Sequence, residues 1–200
     1  MEHPANDSNA ARDHSVPFEA NDVIGICAYV PGPDNLPPVV VNVPYTYTDG
    51  AFAAGTEAIY YPADGSDISF LAYYPWVDGL TKEDPTISID VADQTSPKAI
   101  DLLYAKTKDE EGDVKYNKNS GIPVALTFYH QLSKVLFNIT TGDNLVASDL
   151  DGMTVSVKGF YTTGTYDLSS EVSDIYCTVT KSGTPGTFRP AQGAGYGSGI

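Results

Sequence analysis

The sequence predicts an all-β fold of the β-sandwich class, and three observations carry that reading. Apolar residues alternate with polar ones over short runs, the period-two signature of strands with one buried face. Clusters of Gly, Pro, Asn and Asp break the runs at close intervals. No run has helical periodicity of useful length, and no long internal repeat is present. Composition agrees, since 14 Tyr and 18 Gly stand against 2 Met and 1 Trp.

Residues 1–17 are polar and aperiodic and are expected to form a flexible lead-in to a domain at residues 18–180. The first strand is "DVIGICAYV", residues 22–30. Ile24, Ile26, Ala28 and Val30 share one face and Val23, Cys27 and Tyr29 the other, so both faces need cover. "PGPDN" stops it. "VVVNVPYTY" alternates at Val39, Val41, Val43 and Tyr45, and Pro44 predicts an edge position. "EAIYYP" and "ISFLAYYPW" flank a hairpin loop, "ADGSD", with Ile68, Phe70, Ala72, Tyr74 and Trp76 on one face. "TISIDV" groups Ile87, Ile89 and Val91. "AIDLLYAK" reads as strand or helical turn, and "TKDEEGDVKYNKNSG" as a charged loop. Further on, "MTVSVKGF" alternates at Met153, Val155 and Val157, "YTTGTYDLSS" is hairpin-like, and "DIYCTVT" alternates at Ile175, Cys177 and Val179. The Gly-rich residues 181–200 predict an unstructured tail.

One stretch, "VALTFYHQLSKVLFNI", changes phase. Val124, Leu126 and Phe128 are apolar on even positions, whereas Val135, Phe137 and Ile139 are apolar on odd ones. An odd insertion moves the apolar set to the other side of a strand. Either a β-bulge or a bend within residues 130–134 satisfies the pattern, and both place Phe128 and Phe137 in one core.

The charge balance narrows the function. Lys and Arg number 11 and Asp and Glu 26, a net charge of −15 and a pI near 4.2. Such a surface repels phosphate backbones and anionic lipid, so neither nucleic acid nor an anionic membrane surface is an expected partner. The longest apolar runs, such as "FLAYYPWV", are too short to span a bilayer. "MEHPANDSNAARDHS" has no apolar signal core, so a leader is expected to have been removed or the chain to be cytoplasmic. Cys27 and Cys177 allow at most one bridge, which spacing alone does not decide.

No residue pattern predicts catalysis, a metal or a cofactor. His130 has no ligand partner at metal-site spacing, and its place between Phe128 and Leu132 predicts a buried, hydrogen-bonded side chain at the bend. Ser133 and Lys134 are adjacent, so on a strand they point to opposite faces and form no dyad. Asp64 and Asp67, and the group Asp109, Glu110, Glu111 and Asp113, read as solvated loops without Ca²⁺-loop spacing. Tyr60, Tyr61, Tyr73, Tyr74 and Trp76 read as core and edge packing first, and as a stacking platform for a glycan second. "GAGYGSG" neither follows a strand nor opens a helix, so it is not a phosphate loop.

Five segments in order carry a resemblance. "LTFYHQLSKVLFNI" resembles the signature of the fimbrillin-like family, the pilins and fimbria-associated surface proteins of Bacteroides-type bacteria. "FEANDVIGICAY" resembles the family's opening strand, with Asp22 and Gly25 in matching places. "IYYPADGSDISFLAYYPW", "ISIDVADQTSPKAIDLLYAK" and "LDGMTVSVKGFYTTGTYDLSS" resemble its hairpin, its "DLLyA" segment and its later strands. The resemblance covers roughly residues 18–170. It implies a transthyretin-like Greek-key β-sandwich, no enzyme activity, and a place on the cell surface, at the outer membrane or in a fimbrium. The implied partners are other pilin subunits, joined by β-strand exchange, and a host protein or glycan. Outer-membrane anchoring would come through an N-terminal lipid, whose cysteine is missing here. Arg12 is the expected protease-processing position. Val23, Ile24, Ile26, Ala28 and Val30 mark the candidate exchange strand. Nothing after "VTKSGTPGTFRP" resembles the family's second domain, which is expected to be absent.

Overall fold

The computed structural model describes residues 18–30, 40–109, 112–135, 137, 139–168 and 179–188. Its strands are β1 (Val23–Tyr29), β2 (Val40–Thr48), β3 (Ala51–Ala54), β4 (Ser69–Tyr74), β5 (Thr86–Asp90), β6 (Leu103–Lys106), β7 (Lys108–Asp109), β8 (Gly112–Asp113), β9 (Tyr129–His130), β10 (Val157–Phe160), β11 (Thr163–Asp167), β12 (Thr180–Ser182) and β13 (Gly186–Phe188). Among the described residues only two short 3-10 turns, Pro97–Ile100 and Ala147–Leu150, are helical.

The main sheet has the order β3-β2-β1-β4-β6-β9 and is antiparallel at each pairing. A smaller sheet runs β12-β11-β5. Between the two lies one core, built from Cys27, Tyr29, Leu71, Tyr73, Leu102 and Tyr104 of the main sheet's side and Ile87, Tyr166 and Leu168 of the other. This is the β-sandwich that the alternation predicts. The other face of the main sheet is buried too. Ile24, Ile26, Ala28, Phe70, Ala72, Tyr74 and Ala105 form a second core, covered by Phe18, Tyr61, Tyr116, Val124, Leu126 and Phe128.

The main sheet must curl to build that second core. A flat six-stranded sheet holds its outer strands about 24 Å apart, five spacings of about 4.8 Å. Yet Phe52, on the outer strand β3, has its ring centroid 6.4 Å from that of Phe128, which directly precedes β9 at the opposite edge. The edges therefore approach one another around the second core.

Several sequence expectations need correction. Pro44 was expected at an edge, but β2 lies inside the sheet, between β3 and β1. β3 reaches only Tyr45–Thr48, so on that side β2 is unpaired where proline removes the N–H. The alternation of Val41 and Tyr45 on one face also fails, since Val41 packs in the first core and Tyr45 against the second. A register shift opposite Ile26–Ala28 and the positive φ of Asn42 (63°) mark the bulge responsible. Trp76 leaves the face of Phe70 and Tyr74 because β4 ends at Tyr74, and it packs on the first core. Residues 181–188, expected in an unstructured tail, include two strand segments. Thr180–Ser182 pairs with β11 and Gly186–Phe188 with β10, joined through Gly183 at φ 74°, so the Gly-rich composition marks a turn between strands here.

The phase shift resolves as a bend. β9 ends at His130, Gln131 and Leu132 turn, and Phe128 packs on the second core while Leu132 packs on the first. The chain crosses the sheet at this point. Phe137 does not follow into a core, being 42% exposed, and Val135 is 62% exposed. The shared burial of Phe128 and Phe137 is thus overturned, because after the crossing residues 133–156 join no ladder among the described residues.

Candidate functional site

β1 and its neighbour β4 are the most deeply buried strands among the described residues. Each residue from Ile24 to Tyr29 is buried, and the strand pairs with β2 on one side and β4 on the other. Its two apolar faces fill the two cores, with Ile24, Ile26 and Ala28 in one and Cys27 and Tyr29 in the other. Val30 lies just past the strand and is half-buried. Gly25 makes room for the Tyr73 ring, since a Cβ there would lie 2.3 Å from Tyr73 Cε1. Tyr73 in turn donates to Asn42 Oδ1 at 2.5 Å, and Asn42 Nδ2 donates to the Val77 carbonyl at 2.9 Å. The Asn42 amide donates to Cys27 Sγ at 3.3 Å. Burial pushes the Cys27 thiol pKa up to about 11 despite that bond.

The approach to β1 is clasped. Lys98 Nζ lies 2.7 Å from Glu19 Oε2 and 3.0 Å from Asp22 Oδ2. The Glu19 amide donates to Asp22 Oδ2 at 2.7 Å, and the Asp22 carbonyl accepts from the Tyr47 amide at 2.7 Å. Burial alone would raise the Asp22 pKa, but the Glu19 amide, Lys98 and the Tyr74 hydroxyl together hold it below the ordinary carboxylate value. The two carboxylates raise the Lys98 pKa. Phe18 stacks edge-on among Phe52, Phe128 and Tyr74, at 4.9, 5.2 and 5.6 Å. Sequence reasoning missed Phe18 and Lys98, although "FEAND" pairs an aromatic with carboxylates directly before the strand.

The five aromatic residues of the hairpin are not brought together. Tyr73 is fully buried in the first core, Tyr74 lies in the second, and Tyr61 and Trp76 pack partly against opposite cores. Tyr60 alone is open, at 83% exposed. A glycan platform needs rings on one accessible face, and strand alternation sends neighbouring rings to opposite sides. His130 Nδ1 lies 2.8 Å from Asp101 Oδ1, the hydrogen bond expected at the bend. Its side chain is one-third exposed rather than buried, because β9 is the last strand at the sheet edge. Ser133 and Lys134 are exposed. Asp64 accepts from the amide and hydroxyl of Ser66, and Asp67 from Asn117 Nδ2, so both carboxylates organise loops. Among the described residues no group of three or more His, Cys, Asp or Glu could hold a metal ion, and no helix is long and apolar enough to cross a membrane. Arg12, Val39, Glu110, Glu111, Ile175 and Cys177 lie outside the described residues.

The family described as fimbrillin-like matches residues 7–196, nearly the whole chain. The chain belongs to the fimbrillin-like family. A Bacteroides uniformis protein provisionally named fimbrium subunit Fim1C is 35% identical over 125 residues, covering 62% of this chain and 39% of its own length. The crystal structure of a Bacteroides uniformis protein, provisionally described as a cell adhesion protein, superposes with a TM-score of 0.64 at 30% identity, covering 86% of this chain and 64% of that one. A second, from Bacteroides ovatus with the same provisional description, has a TM-score of 0.60 at 22% identity, covering 89% and 65%, and shares the fold. The chain thus spans about two fifths of the curated relative and just under two thirds of each solved neighbour.

Proposed function

We propose that this fimbrillin-like chain is a non-enzymatic subunit of a surface fimbrium or adhesive structure, assembling with other subunits by exchange of a β-strand. Residues 18–188 would form its sandwich domain, and Arg12 a processing position upstream of it. The observation that carries the reading is the state of β1 in a chain of this family. It is apolar on both faces, lies between two ladders, and fills two cores at once. A strand of that kind leaves a groove that only another alternating apolar strand can fill. The relative provisionally named as a fimbrium subunit agrees with the assembly role.

The test is complementation. A chain beginning at Leu36, mixed with a synthetic peptide of residues 22–30, should regain its β circular dichroism and elute as a compact 1:1 complex. A chain that stays unfolded with the peptide present removes β1 as the exchangeable element. Ladder formation by the full chain after limited trypsin digestion tests assembly separately.

A further inference from the structure

The Phe18 ring sits in a socket made by residues from distant parts of the sheet. Tyr47 comes from β2, Phe52 from the outer strand β3, Tyr74 from β4, and Phe128 from the chain leading into β9. The centroid distances from Phe18 run from 4.9 to 6.0 Å, and three of the four contacts are edge-to-face. Phe18, Tyr47, Phe52 and Phe128 are all only half-buried, so the socket opens at the surface.

Tyr47, Phe52 and Tyr74 are fixed by backbone ladders, but the Phe128 wall of the socket is held by side chains. The segment Ile122–Phe128 makes no backbone hydrogen bond among the described residues, although Val124, Leu126 and Phe128 pack on the second core. β3, on the facing side, pairs only with β2 among the described residues. The two edges therefore meet at a seam that Phe18 fills. Beside it, Lys98 takes the carboxylate of the next residue, Glu19, at 2.7 Å. The remaining backbone bonds of Glu19 among the described residues are local, its amide donating to Asp22 Oδ2 at 2.7 Å and its carbonyl accepting from the Asp22 amide at 3.0 Å.

We infer that this seam is a docking site for an aromatic–acidic peptide pair, occupied here in cis by Phe18–Glu19 and open in trans to the Phe18–Glu19 arm of a second copy. The chemistry in the seated arm defines the ligand. A phenyl ring enters the four-ring socket, and a carboxylate one residue later meets Lys98. A second copy carries the identical pair, which is the occupant the socket already fits. The tethered arm competes at an effective concentration in the millimolar range, so trans docking needs an emptied socket or crowded subunits. This site lies at the rim of the second core that β1 also fills, but arm docking leaves β1 in place and does not rest on strand exchange.

The probe is a synthetic peptide of residues 16–22 with a fluorinated ring at Phe18, followed by ¹⁹F NMR against the full chain. Phe18→Ala should bind it at least about tenfold more tightly than the wild type does. The same peptide with Ala in place of Phe should not compete, and Lys in place of Glu should weaken binding several-fold. Equal binding by wild type and Phe18→Ala, or equal binding of the Phe-Lys and Phe-Glu peptides, overturns the assignment. Should Phe18→Ala fail to fold by circular dichroism, Phe18→Leu takes its place. Its smaller side chain should still bind the peptide more tightly than the wild type, and no gain over wild type is again the overturning result.

Discussion

Gly25→Ala tests the packing of β1 at a single atom. The added Cβ would lie 2.3 Å from Tyr73 Cε1, 2.5 Å from Cζ and 2.8 Å from the hydroxyl oxygen. Contacts that short do not occur, so either β1 or the Tyr73 ring must move. The ring is fully buried and its hydroxyl donates to Asn42 Oδ1, while the Val77 amide donates back to it at 3.3 Å. Overpacking of a core typically costs about 1–3 kcal/mol, and each disturbed hydrogen bond about 0.5–1.5 kcal/mol. With two bonds at risk the expected loss is about 2–6 kcal/mol. Urea denaturation reads it directly. With a slope of about 2 kcal/mol per molar urea, the midpoint should fall by about 1–3 M with the slope unchanged. The decisive measurement is the double-mutant cycle with Tyr73→Leu, which removes the clashing atoms. Gly25→Ala should cost at least about 1 kcal/mol less in that background. Additive losses, or a midpoint within about 0.3 M of wild type, would refute the claim that Gly25 exists to admit this ring.

Three further outcomes follow from burial and charge. Cys27 should resist iodoacetamide at pH 8 in the native state and react on unfolding, as peptide mapping would show, because it is inaccessible and its pKa is raised to about 11. Phe137→Ala should cost less than about 1.5 kcal/mol, against about 3–5 kcal/mol for Phe70→Ala, since Phe137 is 42% and Phe70 7% exposed; comparable urea midpoints for the two variants would contradict the described crossing. The stability gap between wild type and Lys98→Met should depend on pH at both ends. The lowered pKa of Asp22 gives a contribution present above 3.8 that is lost as pH falls through the native value, and the raised pKa of Lys98 one present below 10.5 that is lost as pH rises through it. The gap should therefore be flat across neutral pH, shrinking in acid below about pH 4; a gap unchanged at pH 2 would contradict the clasp.

What was legible in the sequence follows the range of the forces involved. Alternation in β1, β4 and β5 is local, and the faces it predicts for Ile24, Ile26, Ala28, Phe70, Ala72 and Ile87 are those observed. The crossing near His130 was legible for the same reason, as an odd step in a period-two pattern. The destination of Phe137 was not, because alternation states which residues share a face but not whether another layer covers it. The Asn42 bulge was missed: Asn tolerates positive φ better than most residues, but within "VVVNVPYTY" it reads equally as an ordinary polar position of an alternating strand. The Lys98 clasp spans 79 residues and the Phe18 socket draws on four separate segments, so neither leaves a local trace. The paired carboxylates of "FEAND" were the visible half of an interaction whose other half lies in the 3-10 turn at Pro97–Ile100.

The position of β1 also constrains how a strand could be exchanged. Ile24, Ile26, Cys27 and Tyr29 are at most 8% exposed. Exposing four such side chains costs on the order of 6–12 kcal/mol, at about 1.5–3 kcal/mol each. A whole domain is stable by only about 5–15 kcal/mol. Departure of β1 is therefore not a local opening, and an intact subunit that loses it should unfold globally. Exchange must then proceed with the incoming strand already engaged, or on a subunit whose groove was never filled. Labelled peptide of residues 22–30 added to the intact chain tests this, with incorporation followed by mass spectrometry and global unfolding by stopped-flow in urea extrapolated to water. Incorporation should run no faster than unfolding and show no dependence on peptide concentration if departure comes first. A rate that rises with peptide concentration and exceeds the unfolding rate identifies strand displacement. Incorporation faster than unfolding yet independent of peptide would mean that β1 leaves by a local opening, and the energetic reasoning from its two buried faces would fail.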